Sequence, residues 1–363
     1  MERAAKARRF RCAQCSADMS FDAASARLRC GHCGASAEVP SEGGSFGERA
    51  LERGLAAVER GLGAGESRVS RCQECGANVV FAGGATATAC TFCGSARVLE
   101  QSENRNAIRP ESLLPFQIDK PHANQAFGRW LGKLWFRPSD LKRMAKVQEV
   151  NGVYVPFWTF DAHVDSSWTA EAGYHHYETE TYTEEENGRP VTRERRVQHT
   201  RWEPAEGQRA DDYDELLVCG SVGLPRELAE RLKTFDTGRL VPYAPGYLAG
   251  WRAEEYAVDL EQSYGQARDK IIAQQQERCA GDVPGDTHRD LQVQSHVSDV
   301  TFKHVLLPVW IAAYRYNNKV YRFLVNGQTE EVVGDAPWSA AKILSFILSI
   351  AAIIGLAWYF GGR

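Results

Sequence analysis

The longest uncharged apolar run lies close to the last residue of the chain. It covers residues 343–360, ILSFILSIAAIIGLAWYF. As a helix rising 1.5 Å per residue it would be about 27 Å long, close to the bilayer hydrocarbon core of about 30 Å. Aromatic and basic side chains flank it at both ends, as is typical of bilayer interfaces: Trp338, Lys342, Trp358, Tyr359 and Arg363. The pattern predicts a transmembrane tail anchor over residues 338–361, with a buried core helix as the alternative.

Helical periodicity recurs in three other segments. Residues 46–62 carry an apolar stripe that predicts a linker helix, and residues 123–136 predict a second helix that ends before Pro138. Asp259 stands where a helix N-cap is expected, so a third helix is predicted from there to about Cys279.

Alternating and continuous apolar positions predict strands in the middle of the chain. Residues 153–164 and 305–316 share a hydrophobic-Pro-x-Trp pattern typical of strands. The Asn187-Gly188 pair predicts a two-residue hairpin turn, which places residues whose numbers sum to 375 opposite one another. Glu180 then faces Arg195, and since both faces are polar the hairpin should project into solvent. Residues 102–337 are therefore predicted to form a mixed domain of antiparallel sheet and helices.

Composition excludes few classes of protein. The chain has 363 residues, 43% hydrophobic and 25% charged, with a formal net charge of −4. No global positive field therefore attracts nucleic acid. The amino terminus, MERAAKARRFRC, is basic but no apolar run follows it, so no secretory signal peptide is expected.

Eight of the ten cysteines form two copies of the spacing C-x2-C-x14-C-x2-C. The first copy is Cys12, Cys15, Cys30 and Cys33, and the second is Cys72, Cys75, Cys90 and Cys93. In a reducing compartment such paired spacing indicates metal ligands rather than disulfides. Each set supplies four thiolates to a tetrahedral zinc ion and leaves no open position for catalysis. We therefore predict two zinc ribbons, each holding one structural Zn²⁺.

The residues around the cysteines support this interpretation. Gly follows the second cysteine of a pair at positions 34, 76 and 94, where a tight knuckle needs positive φ, whereas Ser16 stands at the fourth such place. Phe21 and Phe81 hold equivalent positions and can each cover a small core. The alternatives are His32 as a competing ligand and redox or disulfide pairs.

A nucleic-acid role for the ribbons has little charge to support it. Residues 1–40 carry seven Lys or Arg against four acids, and residues 68–100 carry three against two. Because affinity grows with the number of phosphates neutralised, protein-binding or architectural ribbons are favoured, and nucleic acid is the alternative partner.

Motifs for catalysis are missing from the sequence. It contains no phosphate-binding loop, no H-E-x-x-H and no dinucleotide fingerprint. Four histidines lie near acids at positions 163, 175, 176 and 199, and alternation along strands predicts exposed polar positions for them. We predict that the protein is not an enzyme.

Several segments together resemble a known family: RPESLLPFQIDK, FGRWLGKLWFRPSDLK, GVYVPFWTFDAHV and LLPVWIAAYRYNNKVYRFLVNGQT. The resemblance is to bacterial membrane-anchored proteins with double transcription-factor-IIB-type zinc ribbons, which often carry the label primosomal protein N′ (replication factor Y), superfamily II helicase. The helicase activity in that label has no motif here. The resemblance implies a cytoplasmic-facing protein tethered to the inner membrane, with some relatives linked to membrane-stress systems.

The expected fold is α+β, divided into five segments. They are zinc ribbon 1 (1–42), a linker helix (43–67), zinc ribbon 2 (68–101), the mixed domain (102–337) and a single-pass transmembrane helix (338–361). The expected function is an adapter that recruits cytoplasmic protein partners to the inner membrane, with a membrane-anchored nucleic-acid-binding protein as the alternative. Small residues spaced four apart (Ser345 and Ser349, Ala351 and Gly355) favour self-association through that helix.

Overall fold

The computed structural model describes most of the chain. The described residues are 10–40, 47–60, 69–80, 90, 92, 98–101, 108–139, 141, 146–147, 150–186, 189–232, 234–317 and 319–361. Strands account for 45% of them and helices for 27%.

The helices are α1 (Leu51–Glu59), α2 (Lys120–Lys133), α3 (Arg226–Arg231), α4 (Leu260–Asp282) and α5 (Ala340–Gly361), with 3-10 turns at Thr237–Arg239 and Pro245–Leu248. The shorter strands are β1 (Met19–Asp22), β2 (Arg27–Cys30), β3 (Ser36–Ala37), β4 (Arg49–Ala50), β5 (Val69–Cys72), β6 (Asn78–Val80), β7 (Val98–Gln101), β8 (Ser112–Leu113), β9 (Lys146–Val147), β12 (Val241–Pro242), β13 (Arg252–Glu255), β15 (Lys319–Asn326) and β16 (Val332–Gly334). Three strands are far longer: β10 (Asn151–Glu186), β11 (Arg189–Cys219) and β14 (Thr287–Tyr316).

The chain divides into two compact units. Unit 1 consists of Met1–Thr159, Leu217–Ser263 and Lys303–Arg363, and unit 2 of Phe160–Leu216 and Tyr264–Phe302. Ribbon 1 forms a separate three-stranded sheet in the order β1-β2-β3. The other strands belong to one large sheet whose main path is β12-β8-β14-β10-β13-β6-β5-β7.

The predicted α+β class is wrong because the chain is mostly β. The strand predicted at 153–164 and the first arm of the hairpin predicted around the Asn-Gly turn belong to one strand, β10, of 36 residues. Its alternation of inward and outward positions continues without a break from residue 160 to residue 172, so no residue ends the strand where the sequence pattern suggested an end. The strand content is correspondingly larger than expected.

The prediction of a transmembrane helix over residues 338–361 is also wrong. A membrane span needs about 20 consecutive, mostly apolar residues, and among the described residues no helix is long and apolar enough to meet that need. Helix α5 is present, but its beginning packs against the segment that follows α2. Lys342 Nζ donates to the Trp135 carbonyl at 3.2 Å, and the ring centroids of Phe346 and Phe136 lie 5.2 Å apart.

Other predicted helices are confirmed. Asp119 Oδ1 accepts the backbone N–H of His122 at 3.0 Å and so caps α2. Asp259 Oδ1 accepts the N–H of Gln262 at 2.8 Å at the start of α4. These side chains satisfy N–H groups that the first turn of a helix leaves unpaired. The linker helix is shorter than predicted, because α1 covers only Leu51–Glu59.

The hairpin register predicted from Asn187-Gly188 is confirmed far beyond its turn, although the two turn residues lie outside the described part of the chain. Four contacts between directly opposite side chains join residues whose numbers sum to 375. Such contacts are Glu180 with Arg195 at 2.8 Å, His176 stacked on His199, His175 with Thr200 at 3.1 Å, and His163 with Asp212 at 2.6 Å. The turn therefore sets the pairing of more than twenty residues of each strand.

In unit 2, one face of the strands packs against α4. Ala162, Val164 and Tyr213 form one apolar cluster with Ile271 of the helix, and Trp168 packs with Cys279 in another. The hairpin beyond residue 176 has no such cover and its side chains are exposed or nearly so, as its polar faces predict.

A buried histidine occupies the core of unit 1. His304 is 3% exposed, its Nδ1 lies 2.8 Å from the Ile108 carbonyl oxygen, and its ring stacks on Trp158 with centroids 4.8 Å apart. Burial lowers its pKa to about 4, because desolvation disfavours the charged imidazolium. The ring is therefore neutral in the folded protein at neutral pH.

This depressed pKa predicts an acid-dependent loss of stability. The unfolded chain takes up a proton on His304 near pH 6.5 and the folded chain only near pH 4, so the free energy of unfolding falls as pH decreases through that window. Each pKa unit corresponds to 1.36 kcal/mol, so the free energy of unfolding falls by at most about 3 kcal/mol. His304→Phe should flatten this slope in urea unfolding measured from pH 4 to pH 7. The exposed His288→Ala variant should keep the wild-type slope, and an equal slope in both variants would refute the assignment.

Candidate metal centres

The four cysteines of ribbon 1 converge. Their Sγ atoms all lie within 4.8 Å of one another, with 3.5 Å between Cys12 and Cys33 and 3.5 Å between Cys15 and Cys30. Four thiolates at about 2.3 Å from a central zinc would be about 3.8 Å apart, whereas a disulfide needs about 2.05 Å. None of the described cysteines forms a disulfide. The cluster can therefore hold a metal ion.

The cysteine knuckles share one backbone geometry. The residue after the second cysteine of a pair donates its N–H to the carbonyl of the first: Ser16 to Cys12 at 2.9 Å, Gly34 to Cys30 at 3.0 Å and Gly76 to Cys72 at 2.9 Å. Each donor has positive φ, at 61°, 76° and 77° respectively. Ser16 thus adopts the left-handed conformation that a glycine holds without steric cost.

Backbone N–H groups favour the thiolate form at two positions. Those of Cys33 and His32 lower the pKa of the Cys30 thiol to about 6, and those of Cys15 and Gln14 lower the pKa of Cys12. At Cys15 and Cys33 a backbone N–H also lowers the pKa, but hydrogen bonds with neighbouring thiols, together with burial, outweigh it and raise the pKa of both thiols. Four thiolates in contact repel one another, so full ionisation of the cluster requires a cation.

Ribbon 1 has a very small apolar core of its own. Phe21 is 3% exposed and packs with Met19 and Leu28 beside Cys12 and Cys30. This confirms the covering position predicted for Phe21.

Ribbon 2 brings three of its cysteines together. Cys72, Cys75 and Cys90 have Sγ atoms within 4.8 Å of one another, and Cys75 and Cys90 are 3.6 Å apart. The predicted fourth ligand, Cys93, lies outside the described residues, as does Phe81. Three described thiols in this arrangement can also hold a metal ion.

The competing ligand His32 does not join the cluster of ribbon 1, which is made of the four cysteines alone. Its side chain is exposed, and its contribution is the backbone N–H that acts on Cys30.

The four histidines that lie near acids in the sequence, at positions 163, 175, 176 and 199, do not all converge on one site. His163 bonds to Asp212 and His175 to Thr200, whereas His176 stacks on His199. His163 and His175 are twelve residues apart on one strand, which is about 40 Å at 3.3 Å per residue.

One segment contacts both ribbons although no motif marks it in the sequence. The Phe21 N–H donates to the Ala249 carbonyl at 2.8 Å, and Trp251 Nε1 donates to the Phe21 carbonyl at 2.9 Å. Directly after Trp251, β13 pairs antiparallel with β6 of ribbon 2. Residues 247–255, which we call the ribbon platform, therefore contact both cysteine ribbons. The nine residues contain no cysteine and no metal motif, so only the aromatic content of Tyr247 and Trp251 hinted at packing.

Comparison with known proteins places the chain in a family. It is 30% identical over 250 residues to the Bacillus subtilis (strain 168) protein named "Uncharacterized protein YdjG", an alignment that covers 67% of this chain and 68% of that protein. The chain belongs to the YdjG family. No protein-family model matches this YdjG-family chain, and no solved structure matches it. Since the name of the relative states no activity, the geometry of the sites carries the functional argument.

Removal of one ribbon 1 ligand should remove one metal ion. We expect Cys30→Ser to lower the bound metal by one equivalent and to destabilise the ribbon by several kcal/mol, because metal binding supplies most of the folding energy of so small a module. Elemental analysis of the purified protein and urea unfolding measure both effects. Cys219→Ser, a half-buried thiol outside the clusters, should keep the wild-type metal content. Unchanged metal content in Cys30→Ser would contradict the assignment.

The knuckle geometry predicts opposite effects at equivalent positions. Ser16→Gly should stabilise ribbon 1 by about 0.5–1 kcal/mol, because glycine takes positive φ without steric cost. Gly34→Ala should destabilise it by about 1 kcal/mol. Because a Cβ at Gly34 meets nothing within 4 Å, this loss would come from backbone strain and not from a steric clash. Urea unfolding at saturating metal measures both, and effects of equal sign would be inconsistent with the shared geometry.

Proposed function

We propose that this protein is a non-enzymatic adapter, stabilised by two structural zinc ions and attached to a lipid surface by helix α5. The attachment would lie on the cytoplasmic face of the inner membrane, since thiolate ligands persist in a reducing compartment.

The exposed surface of α5 supports the lipid attachment. Large apolar side chains on all sides of this helix are between 41% and 85% exposed: Leu344, Phe346, Ile347, Leu348, Ile350, Ile353, Ile354, Leu356, Trp358 and Phe360. A partner helix or groove would cover one stripe of a helix, whereas a lipid surface can take up exposed apolar side chains along the whole length of α5. Lipid is therefore the favoured environment.

Two tryptophans near the start of α5 also favour a lipid surface. Trp338 is 67% exposed and Trp135, from the segment after α2, is 75% exposed. The Arg137 guanidinium lies 3.8 Å from the centre of the Trp338 ring, and Lys342 Nζ lies 6.0 Å from that of Trp135. Exposed Trp side chains beside Lys and Arg are typical of protein surfaces that contact the lipid headgroup layer. We call this group the interfacial belt.

The donor set supports zinc as the resident metal. Ribbon 1 offers only sulfur, which suits Zn²⁺ and iron–sulfur clusters, and four-cysteine clusters on two short knuckles are typical of structural zinc. Ligation by four thiolates leaves no position for water or substrate. The ions would hold the ribbons in shape and perform no reaction.

Protein partners would meet the exposed end of the hairpin. Its side chains form a mixed-charge surface, in which Arg195 pairs with Glu180 and Arg196 lies 4.6 Å from the centre of the Tyr177 ring. A surface of both charges suits a partner recognised by complementary charge rather than by apolar burial.

Nucleic acid is the less favoured partner. Ribbon 1 exposes Arg11, Arg27 and Arg29 among its described residues, and Arg27 lies 3.9 Å from Glu38. Three cations are fewer than the roughly 6–10 phosphate contacts of strongly salt-dependent binders.

Flotation of the full-length protein with liposomes tests the lipid attachment. Wild type should float with the vesicles, and Ile350→Glu/Ile354→Glu should remain at the bottom because two carboxylates would enter the apolar layer. The double variant Trp135→Ala/Trp338→Ala should bind about tenfold more weakly, equivalent to about 1.4 kcal/mol.

Tyr177→Ala is the matched control, since this exposed aromatic also lies beneath an arginine but belongs to the hairpin. It should float like wild type. Equal flotation of wild type and the two-glutamate variant would refute the attachment, as would a lipid-free wild type that buries α5 in a stable dimer.

A further inference from the structure

Two histidines face each other on the exposed part of the hairpin. His176 of β10 and His199 of β11 are cross-strand partners, and their rings lie 5.7 Å apart between centroids with 29° between their planes. Directly opposite residues have Cβ atoms about 4.5–5.5 Å apart, so the two imidazoles extend side by side from the same face of the hairpin.

This ring separation is close to that of two imidazoles bound to one ion. A metal lies about 2.0–2.1 Å from an imidazole nitrogen, and the ring centre lies about 1.1 Å behind that nitrogen. Two such rings at tetrahedral or slightly wider angles have centroids about 5–5.5 Å apart. The observed pair therefore needs only a small adjustment to share an ion.

Carboxylates adjoin both rings. Glu178 Oε1 lies 3.7 Å from His176 Nε2, and Glu180 Oε1 lies 3.9 Å from His199 Nε2. The other oxygen of Glu180 is held by Arg195 at 3.1 and 2.8 Å, which orients this carboxylate toward the histidines.

The imidazole nitrogens and carboxylate oxygens lie near one another without forming hydrogen bonds. Separations of 3.7 and 3.9 Å exceed the usual 2.7–3.2 Å of a hydrogen bond. His199 Nε2 is shielded from water and has no hydrogen-bond partner among the described residues, an arrangement that costs free energy unless a ligand satisfies it. Unlike the cysteine clusters, these donors do not all lie within 4.8 Å of one another, so an ion must draw the flexible glutamates inwards.

We propose that His176, His199 and Glu178, with Glu180 as a further donor, form a binding site for a divalent transition metal. Two imidazoles with carboxylates suit Zn²⁺, Ni²⁺ or Cu²⁺ rather than Mg²⁺ or Ca²⁺, which prefer oxygen ligands alone. A two-stranded hairpin is marginally stable by itself, and an ion that joins both strands would stabilise the part of the hairpin that α4 does not cover. This site is independent of the cysteine clusters and of the lipid attachment.

Zinc binding by the full-length protein tests the site. With both ribbons loaded, calorimetric titration with Zn²⁺ should show one equivalent more for wild type than for His176→Ala/His199→Ala, and Glu178→Gln should weaken that extra equivalent about tenfold. His175→Ala is the matched control, because this neighbouring histidine bonds to Thr200 and should leave binding unchanged.

Three results would overturn the proposal: no extra equivalent in wild type, an extra equivalent that persists in the double variant, or equal loss in His175→Ala. A fold check by circular dichroism separates loss of ligands from loss of the hairpin. The readout is independent of liposome flotation, so either proposal can fail alone.

Discussion

Ribbon 1 does not have enough apolar side chains among its described residues to hold its own shape. Ribbon 1 buries little more than Phe21, Met19 and Leu28, and a module of about 30 residues cannot offset its conformational entropy with so small a core. Two other interactions compensate. Sulfur atoms gathered within 4.8 Å can be joined by a metal, and the ribbon platform supplies hydrogen bonds and aromatic cover from outside the ribbon.

The platform makes the ribbons part of unit 1 rather than independent modules. Strand β13 extends the sheet of ribbon 2 through three residue pairs, and Cys72, Cys90 and Phe92 belong to the same apolar cluster as Val153 and Leu307. A ribbon fixed in this way cannot reorient freely to follow a nucleic-acid groove. Removal of a metal ion bound at these cysteines should therefore also disturb the sheet.

Unit 2 relies on a different constraint, the register of one long hairpin. The same pairing that joins Glu180 to Arg195 also joins His163 to Asp212. Because a slip of one residue would move every side chain to the opposite face, the buried positions opposite α4 and the exposed histidines depend on one another. The pairing of His176 with His199 follows from the same register. The register that buries Trp168 therefore also brings the two candidate ligands together.

The sequence by itself determined the local features of this protein. Cysteine spacing identified the converging thiols, Asp259 and the Asn-Gly pair identified a helix start and a register, and Phe21 identified a covering side chain. Each of these features depends on residues close together in the chain, or on a pairing that repeats regularly along a strand. Tertiary structure alone decided the rest: the continuity of β10, the attachment of both ribbons to residues 247–255, and the position of Trp135 next to Lys342 of α5. Such contacts join residues 230 and 207 positions apart. The hydrophobic pattern of a sequence indicates that a side chain must be buried, but not which residues bury it.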